Sequence, residues 1–332
     1  MKKFSIPLVT ALGANGEFLN AAQVTSPAHG MTALAHADSF NNSHYSEPLT
    51  AYTQGWRDPE NLDELLEFLF PAVQVGRRFE WYKHDEESDF LVDTDDSRAP
   101  GADFKAVRAT GKMNLGQTTN KGLTMFVDMD QVSSIQNWQQ IYTSRLLRRC
   151  KRNDLYGAIM LLAAAAGNAN KTWGTASDPD ADIMQMVSDA GDLIGFNPNR
   201  LAFFGNTWLK RVMAYRAQEN EGAKSSLMLK DPSELATFVG AALGRNITAR
   251  LKVDGAQKGK IGGNYVVAFY GENGVGPEDP SATKRFWSPC DGGGEYRVFV
   301  DQTNPKISKI TVERYNTLVV TSQLGLKKLT VS

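Results

Sequence analysis

The sequence predicts an α+β fold in which a compact α/β unit and a long helix carry an extended hairpin and an unpatterned N-terminal arm. Three observations predict it. Between Asp130 and Gly167, apolar residues recur at helical spacing for longer than one ordinary globular helix needs. Between Val75 and Val127 the periodicity becomes that of strands, interrupted by a long acidic, turn-rich connection. From Ala181 onward, helical and strand patterns alternate at the short spacing of a packed α/β unit. With 332 residues, the chain has room for two domains or one elaborate one.

Composition narrows the classes further. A hydrophobic share of 42% and a charged share of 22% suit a folded globular protein. The 36 basic and 37 acidic residues leave a formal charge of -1, which argues against a protein that coats nucleic acid with its whole surface but leaves room for one basic face. Cys150 and Cys290 stand far apart without CxxC spacing, so neither a disulfide framework nor a zinc site is expected, and a reducing cytosol suits the chain. The opening MKKFSIPLVTALGANGEF has an apolar run broken by Pro7, Thr10, Gly13 and Asn15, which does not read as a secretory leader. No run approaches the roughly 20 apolar residues of a membrane span, so no membrane partner is expected.

Taken in order, residues 1–50 are small and polar, hold His29, His36 and His44, and show no apolar period. They read as an arm ordered only by lying on something else. Asp58 to Val73 reads as a short helix with Asp58 as cap, Pro59 in the first turn, Pro71 as stop and Leu62, Leu65, Leu66 and Leu69 as its apolar face. RRFEWYK, FKAVRATG and GLTMFVD read as strands, the first two forming a projecting hairpin. Asp130 to Gly167 reads as one helix on the order of 55 Å long at 1.5 Å per residue, ended by Gly167 and open to bending at Asn153, Asp154 and Gly157. GNANKTWGTASDPD reads as a loop and Ala181 to Ile194 as a helix. NRLAFFG reads as a buried strand, TWLKRVMAYRAQ as a helix capped by Asn206, and DPSELATFVGAAL as a helix opened by Asp231, Pro232 and Glu234. ITARLKV, NYVVAFYGE, EYRVFV, KITVERY and TLVVTSQ supply the remaining strands, and no internal repeat is present.

Enzyme signatures are absent: there is no GxSxG, HExxH or GxxxxGK[ST], and the glycine-rich GGNYVVAFYGENGVG does not join a strand to a helix in the required order. All four histidines precede Phe90, and three lie in the arm. No catalytic, cofactor-binding or metal-binding residue is assigned. Two charge clusters stand out instead. Asp85, Glu86, Glu87, Asp89, Asp93, Asp95 and Asp96 miss the positions of a calcium loop, and read as a solvated hairpin tip or as a contact with a neighbouring copy. Arg145, Arg148, Arg149 and Arg152 share one helical face at i, i+3, i+4 and i+7. Like charges so placed destabilise an isolated helix and call for a partner: acids of the same fold, acids of a neighbour, or phosphate.

The order of elements, together with five local motifs, resembles the major capsid proteins of tailed bacteriophages, which share the Hong Kong 97-type coat fold. LFPAVQVGRRFEWYK looks like the family's entry into its E-loop, and TTNKGLTMFVDMDQV like the return strand leading to the spine helix. IGFNPNRLAFFGNTWLKRVMAY, LKDPSELATFVG and NYVVAFYG resemble the helices and core strands of the axial (A) domain. The resemblance covers about residues 50–332 and departs from scaffold-bearing members, because residues 1–50 are too short for a scaffolding domain. It implies an N-arm over 1–50, a peripheral (P) domain over 51–75 and 127–177 with the spine helix, an E-loop over 76–126, an A-domain over 178–295, and return strands to the P-domain over 296–332. It further implies a non-catalytic shell subunit without cofactors, found in the virion and assembled in the host cytoplasm, with copies of itself as hexamers and pentamers, packaged double-stranded DNA, portal, scaffold and cement proteins as partners. In this reading the arginine face meets DNA or a neighbouring subunit, and the acidic E-loop cluster meets a neighbouring subunit. An encapsulin-type compartment shares the same fold, and a cytosolic α/β enzyme is the rival of a different class. Against the enzyme, Ala181 to Val300 contains no histidine and no recognised motif.

Overall fold

Two sheets and one long helix organise the chain. The computed structural model describes residues 11–12, 18–19, 44–83, 97–98, 101, 103, 112–254, 257–273, 276, 279–291 and 293–332. Two short strands, β1 (Ala11–Leu12) and β2 (Phe18–Leu19), pair with each other antiparallel. Helices α1 (Glu47–Gly55) and α2 (Leu62–Leu69) follow, then strand β3 (Ala72–Gln74).

Strands β4 (Arg78–Lys83) and β5 (Lys112–Gln117) form an antiparallel ribbon that belongs to neither main sheet. FKAVRATG and the acidic connection lie outside the described residues. Gly116 is dictated by packing: a Cβ there would stand 2.5 Å from the Phe79 ring, which itself stacks on Phe286 with centroids 4.4 Å apart.

Strand β6 (Thr119–Asp128) leads through a single turn, α3 (Met129–Val132), to the long helix α4 (Trp138–Ala165). The expected continuous helix from Asp130 is therefore shorter. The apolar period runs through Val132, Ile135 and Trp138, but Asn137 takes a left-handed φ of 62° and interrupts it. Across 28 residues the helix spans about 42 Å, and Asn153, Asp154 and Gly157 lie within its unbroken run. Gly167 is not its stop: Ala166 leaves the helix in extended conformation, and Gly167 opens strand β7 (Gly167–Lys171). Asp58 likewise caps a preceding turn, accepting from Glu60 N, whereas α2 begins after Asn61 at a left-handed φ of 51°.

The compact unit comprises helices α5 (Pro179–Ile194), α6 (Thr207–Arg216), α7 (Glu221–Met228) and α8 (Pro232–Phe238) with strands β8 (Arg200–Phe203), β9 (Leu243–Asn246) and β12 (Tyr265–Phe269). Asp231 caps α8 as expected, accepting from the backbone of Ser233 and Glu234. Asn206 stands at the start of α6, but its side chain makes no cap bond. A separate ribbon joins β10 (Arg250–Asp254) to β11 (Gln257–Lys260). The chain ends with β13 (Thr283–Ser288), β14 (Tyr296–Asn304), β15 (Ile307–Val320) and β16 (Lys327–Val331).

Sheet membership follows pairing rather than sequence order. One sheet runs β7-β16-β12-β8-β9, so β16 from the C-terminal segment and β7 from the expected loop both join the compact unit. β13, placed in that unit by its sequence position, instead pairs with β15 and, in parallel, with β3. β15 is the organiser of the second sheet. Tyr315 and Asn316 pair with β6 and with β13 at once, so those strands take opposite edges, while β14 pairs along residues 307–314. These assignments hinge on partners far away in sequence.

The first sheet is covered on both faces, which explains its continuous apolar strands. Leu201, Phe203, Val266 and Ala268 face α5 and α8 through Ile183, Val187 and Leu235. Ala202, Phe204, Val267 and Phe269 face Leu155, Ile159 and Leu162 of α4 and Leu66 and Leu69 of α2. The N-terminal half of α4 packs Leu146, Leu147 and Cys150 on Val298, Ile310 and Val312 of the second sheet. One helix thus joins the two sheets, each fully buried Leu or Ile contributing about 1.5–3 kcal/mol.

Candidate functional site

The four arginines singled out by spacing are divided by the fold. Arg145 and Arg149 are exposed, on the same face of α4 as exposed Ile141, Tyr156 and Met160. The Arg145 guanidinium lies 5.0 Å from the Tyr142 ring centroid. Arg148 and Arg152 turn toward the segment that precedes α2. Arg148 Nε stands 3.3 Å from buried Asp58 Oδ1, and Arg152 Nη2 donates to Glu60 Oε2 at 2.6 Å. Between them Lys151, a basic residue on the inner flank, pairs with Asp63 and lies 4.7 Å from the Trp56 ring centroid. Two of the four arginines therefore have acids of the same chain as partners, and Arg145 and Arg149 make no ion pair among the described residues.

The expected acidic cluster, Asp85, Glu86, Glu87, Asp89, Asp93, Asp95 and Asp96, lies outside the described residues. The ribbon that leads toward it is described. Its outward positions carry Leu115 at 84% and Met113 at 55% exposure. An isolated two-stranded ribbon is marginal in water, and two large apolar side chains on its free face raise the cost of leaving it uncovered.

A polar anchor that periodicity did not reveal fixes α4 to the second sheet. Buried Arg314 on β15 donates from Nε and Nη2 to Asp154 at 2.8 and 2.7 Å, and Asn316 Nδ2 donates to the same carboxylate at 2.9 Å. Arg314 Nη2 also donates to the Cys150 carbonyl at 3.1 Å. The hydrogen bonds and charge of Asp154 outweigh desolvation and push the Arg314 guanidinium further up. Lys121 Nζ, 3.8 Å from Asp154, is pushed down by burial. A second bidentate pair, Arg211 with Asp180 at 2.6 and 2.8 Å, ties α6 to the start of α5. Both pairs join segments that are remote in sequence; for Arg314 alone, the alternation of KITVERYN, which sets it in line with Ile310 and Val312, was an available hint.

A cleft of about 650 Å³ lies between α1, α2, α4 and the β13–β14 turn, lined by Trp56, Asp63, Glu67, Lys151, Arg285, Glu295 and Tyr296 among others. Its cations are already matched, Lys151 by Asp63 and Arg285 by Glu295. Both cysteines are buried, and burial pushes their thiols up, Cys290 to about 11. Among the described residues, no group of three or more His, Cys, Asp or Glu side chains is placed to hold a metal ion, and no helix is long and apolar enough to cross a membrane.

The architecture is α+β: a two-stranded ribbon, a long helix against a β-rich layer, and a compact α/β unit. Among solved structures the chain is similar to a phage-related protein from Bordetella bronchiseptica RB50, with a TM-score of 0.64 and 19% identity over 86% of this chain and 97% of that one. The capsid of cyanophage P-SCSP1u aligns at a TM-score of 0.47, with 9% identity over 80% of this chain and 87% of that one. The SrpI encapsulin of Synechococcus elongatus PCC 7942 aligns at 0.44, with 13% identity over 82% and 87%. No family model and no curated protein matches the sequence.

Proposed function

We propose that the chain is the structural subunit of a tailed-phage head, a major capsid protein whose copies form hexamers and pentamers and close into an icosahedral shell around double-stranded DNA. The observation that carries this reading is the ribbon of β4 and β5, which pairs with neither sheet and exposes Met113 and Leu115. Such a surface makes physical sense when a second copy covers it. The fold shared with the Bordetella phage-related protein supports the same reading. In it, exposed Arg145 and Arg149 meet DNA phosphates without reading bases, as packaging of any sequence requires. Shell and ribbon act through contact, so the subunit does its work by geometry and needs no reacting group.

Size exclusion with negative-stain microscopy of the purified full-length protein tests the reading. Rings, shells or tubes are expected, and a stable monomer over a wide range of concentration and salt overturns it. Removing residues 85–96 should leave the subunit folded and impair closure. Normal particles from that deletion would reduce the acidic segment to a solvated loop. Particles that hold a protein cargo and no DNA would favour the encapsulin-type alternative.

A further inference from the structure

The ribbon of β10 and β11 carries a concentration of charge that neither the spine helix nor the hairpin explains. Its register sets Arg250 opposite Lys260 and Lys252 opposite Lys258. Opposed residues of an antiparallel pair share a face, and so do residues two apart along a strand, so Arg250, Lys258 and Lys260 fall on one side of the ribbon. Cross-strand neighbours stand about 5 Å apart, and like charges so opposed destabilise the pairing. Asp254 is the one acid in residues 250–260. Arg250 and Lys258 are exposed and make no ion pair among the described residues, while Lys260 Nζ donates to the Gly205 carbonyl at 2.9 Å.

From this juxtaposition we infer that the 250–260 ribbon is a second polyanion-binding element, taking the phosphate backbone of nucleic acid. Lysine is depleted at protein–protein contacts, and residues 250–260 contain no aromatic side chain to anchor one. A double helix offers one negative charge per about 1.7 Å of axis, enough to neutralise exposed Arg250 and Lys258 without any sequence preference. The inference rests on the DNA-enclosing reading and gives it a site on the compact unit, away from Arg145 and Arg149 in sequence.

The test uses unassembled full-length subunit and a labelled 30-bp duplex of arbitrary sequence, with anisotropy followed from about 50 to 300 mM salt. Each lost phosphate contact makes the plot of log affinity against log salt shallower by about 0.9, so Arg250→Gln with Lys258→Gln should reduce the slope by about 1.8. The same variant should melt like the parent and form the same particles by microscopy. An unchanged slope overturns the inference, as does a folded variant that no longer assembles, which would make the ribbon a contact between copies. If the parent assembles but shows no salt-dependent binding, the ribbon inference fails and the shell reading stands. If the parent does not assemble, the shell reading fails, and the slope still decides the ribbon.

Discussion

Replacing Asp154 by alanine should cost the subunit more than any other single polar change on α4. Asp154 and Arg314 are each 4% exposed, and the carboxylate accepts two hydrogen bonds from Arg314 and one from Asn316. Its removal leaves a guanidinium without its counter-charge between α4 and β15, with the Lys121 ammonium nearby. Breaking a buried pair from one side costs about 3–5 kcal/mol. Taking roughly 3 kcal/mol per molar as the urea dependence, the unfolding midpoint falls by about 1–1.7 M. Far-UV circular dichroism in urea on the unassembled subunit reads this directly. The double change Asp154→Leu with Arg314→Met removes both charges and should recover about half of that loss. A buried pair contributes little against apolar groups of similar size, while the buried Asn316 amide left without its acceptor still costs about 1–3 kcal/mol. A loss under about 1 kcal/mol for Asp154→Ala, or a double variant no better than the single, would show that the pair is not the anchor.

Four further outcomes are expected. Burial raises the Cys290 thiol from 9.0 to about 11, so between those pH values the unfolded chain releases a proton that the folded chain keeps, and stability falls as pH rises. Cys290→Ala should flatten this limb in urea midpoints taken from pH 8 to 10.5. Lys121, pushed down, acts with the opposite sign and is common to both proteins. Gly116→Ala puts a Cβ 2.5 Å from the Phe79 ring and should lower stability by about 1–3 kcal/mol, with Phe79→Leu restoring part of it in a double-mutant melt. Arg145→Glu with Arg149→Glu should give shells of normal geometry that retain DNA poorly, read by particle density. Arg152→Gln should cost at most about 1 kcal/mol, Arg148→Gln more because it leaves buried Asp58 without its cation, and both should leave DNA retention unchanged; the reverse pattern would move the DNA contact to the other pair.

The class and order of elements were readable in periodicity, because amphipathic helices and covered strands write their surroundings into their apolar spacing. The cap at Asp231 was readable too, since the bonds it accepts are local. Errors arose wherever a distant partner decided. GNANK carries no strand signal, yet β7 forms because β16 offers it a parallel edge. The helical period passes through 133–137, and only the left-handed Asn137 shows where α4 begins. The arginine quartet was legible as a face but not as two pairs, because the acids that claim Arg148 and Arg152 lie about ninety residues upstream.

That division explains how a chain with a formal charge of -1 can still present basic surface. Pairing inside the fold is concentrated where elements must be held in register: Asp154 with Arg314 between helix and sheet, Asp180 with Arg211 between helices, and Asp58, Glu60 and Asp63 with α4. These pairs neutralise charge in equal numbers and so leave the overall balance untouched. Among the described residues, the exposed cations without an ion pair include Arg145 and Arg149 on α4 and Arg250 and Lys258 on the β10–β11 ribbon. In the proposed shell, a few cations on each of many copies would form a dense positive lining, so a nearly neutral subunit would suffice to hold a polyanion. A strongly basic subunit would repel its own copies during assembly, and segregation of charge avoids that cost.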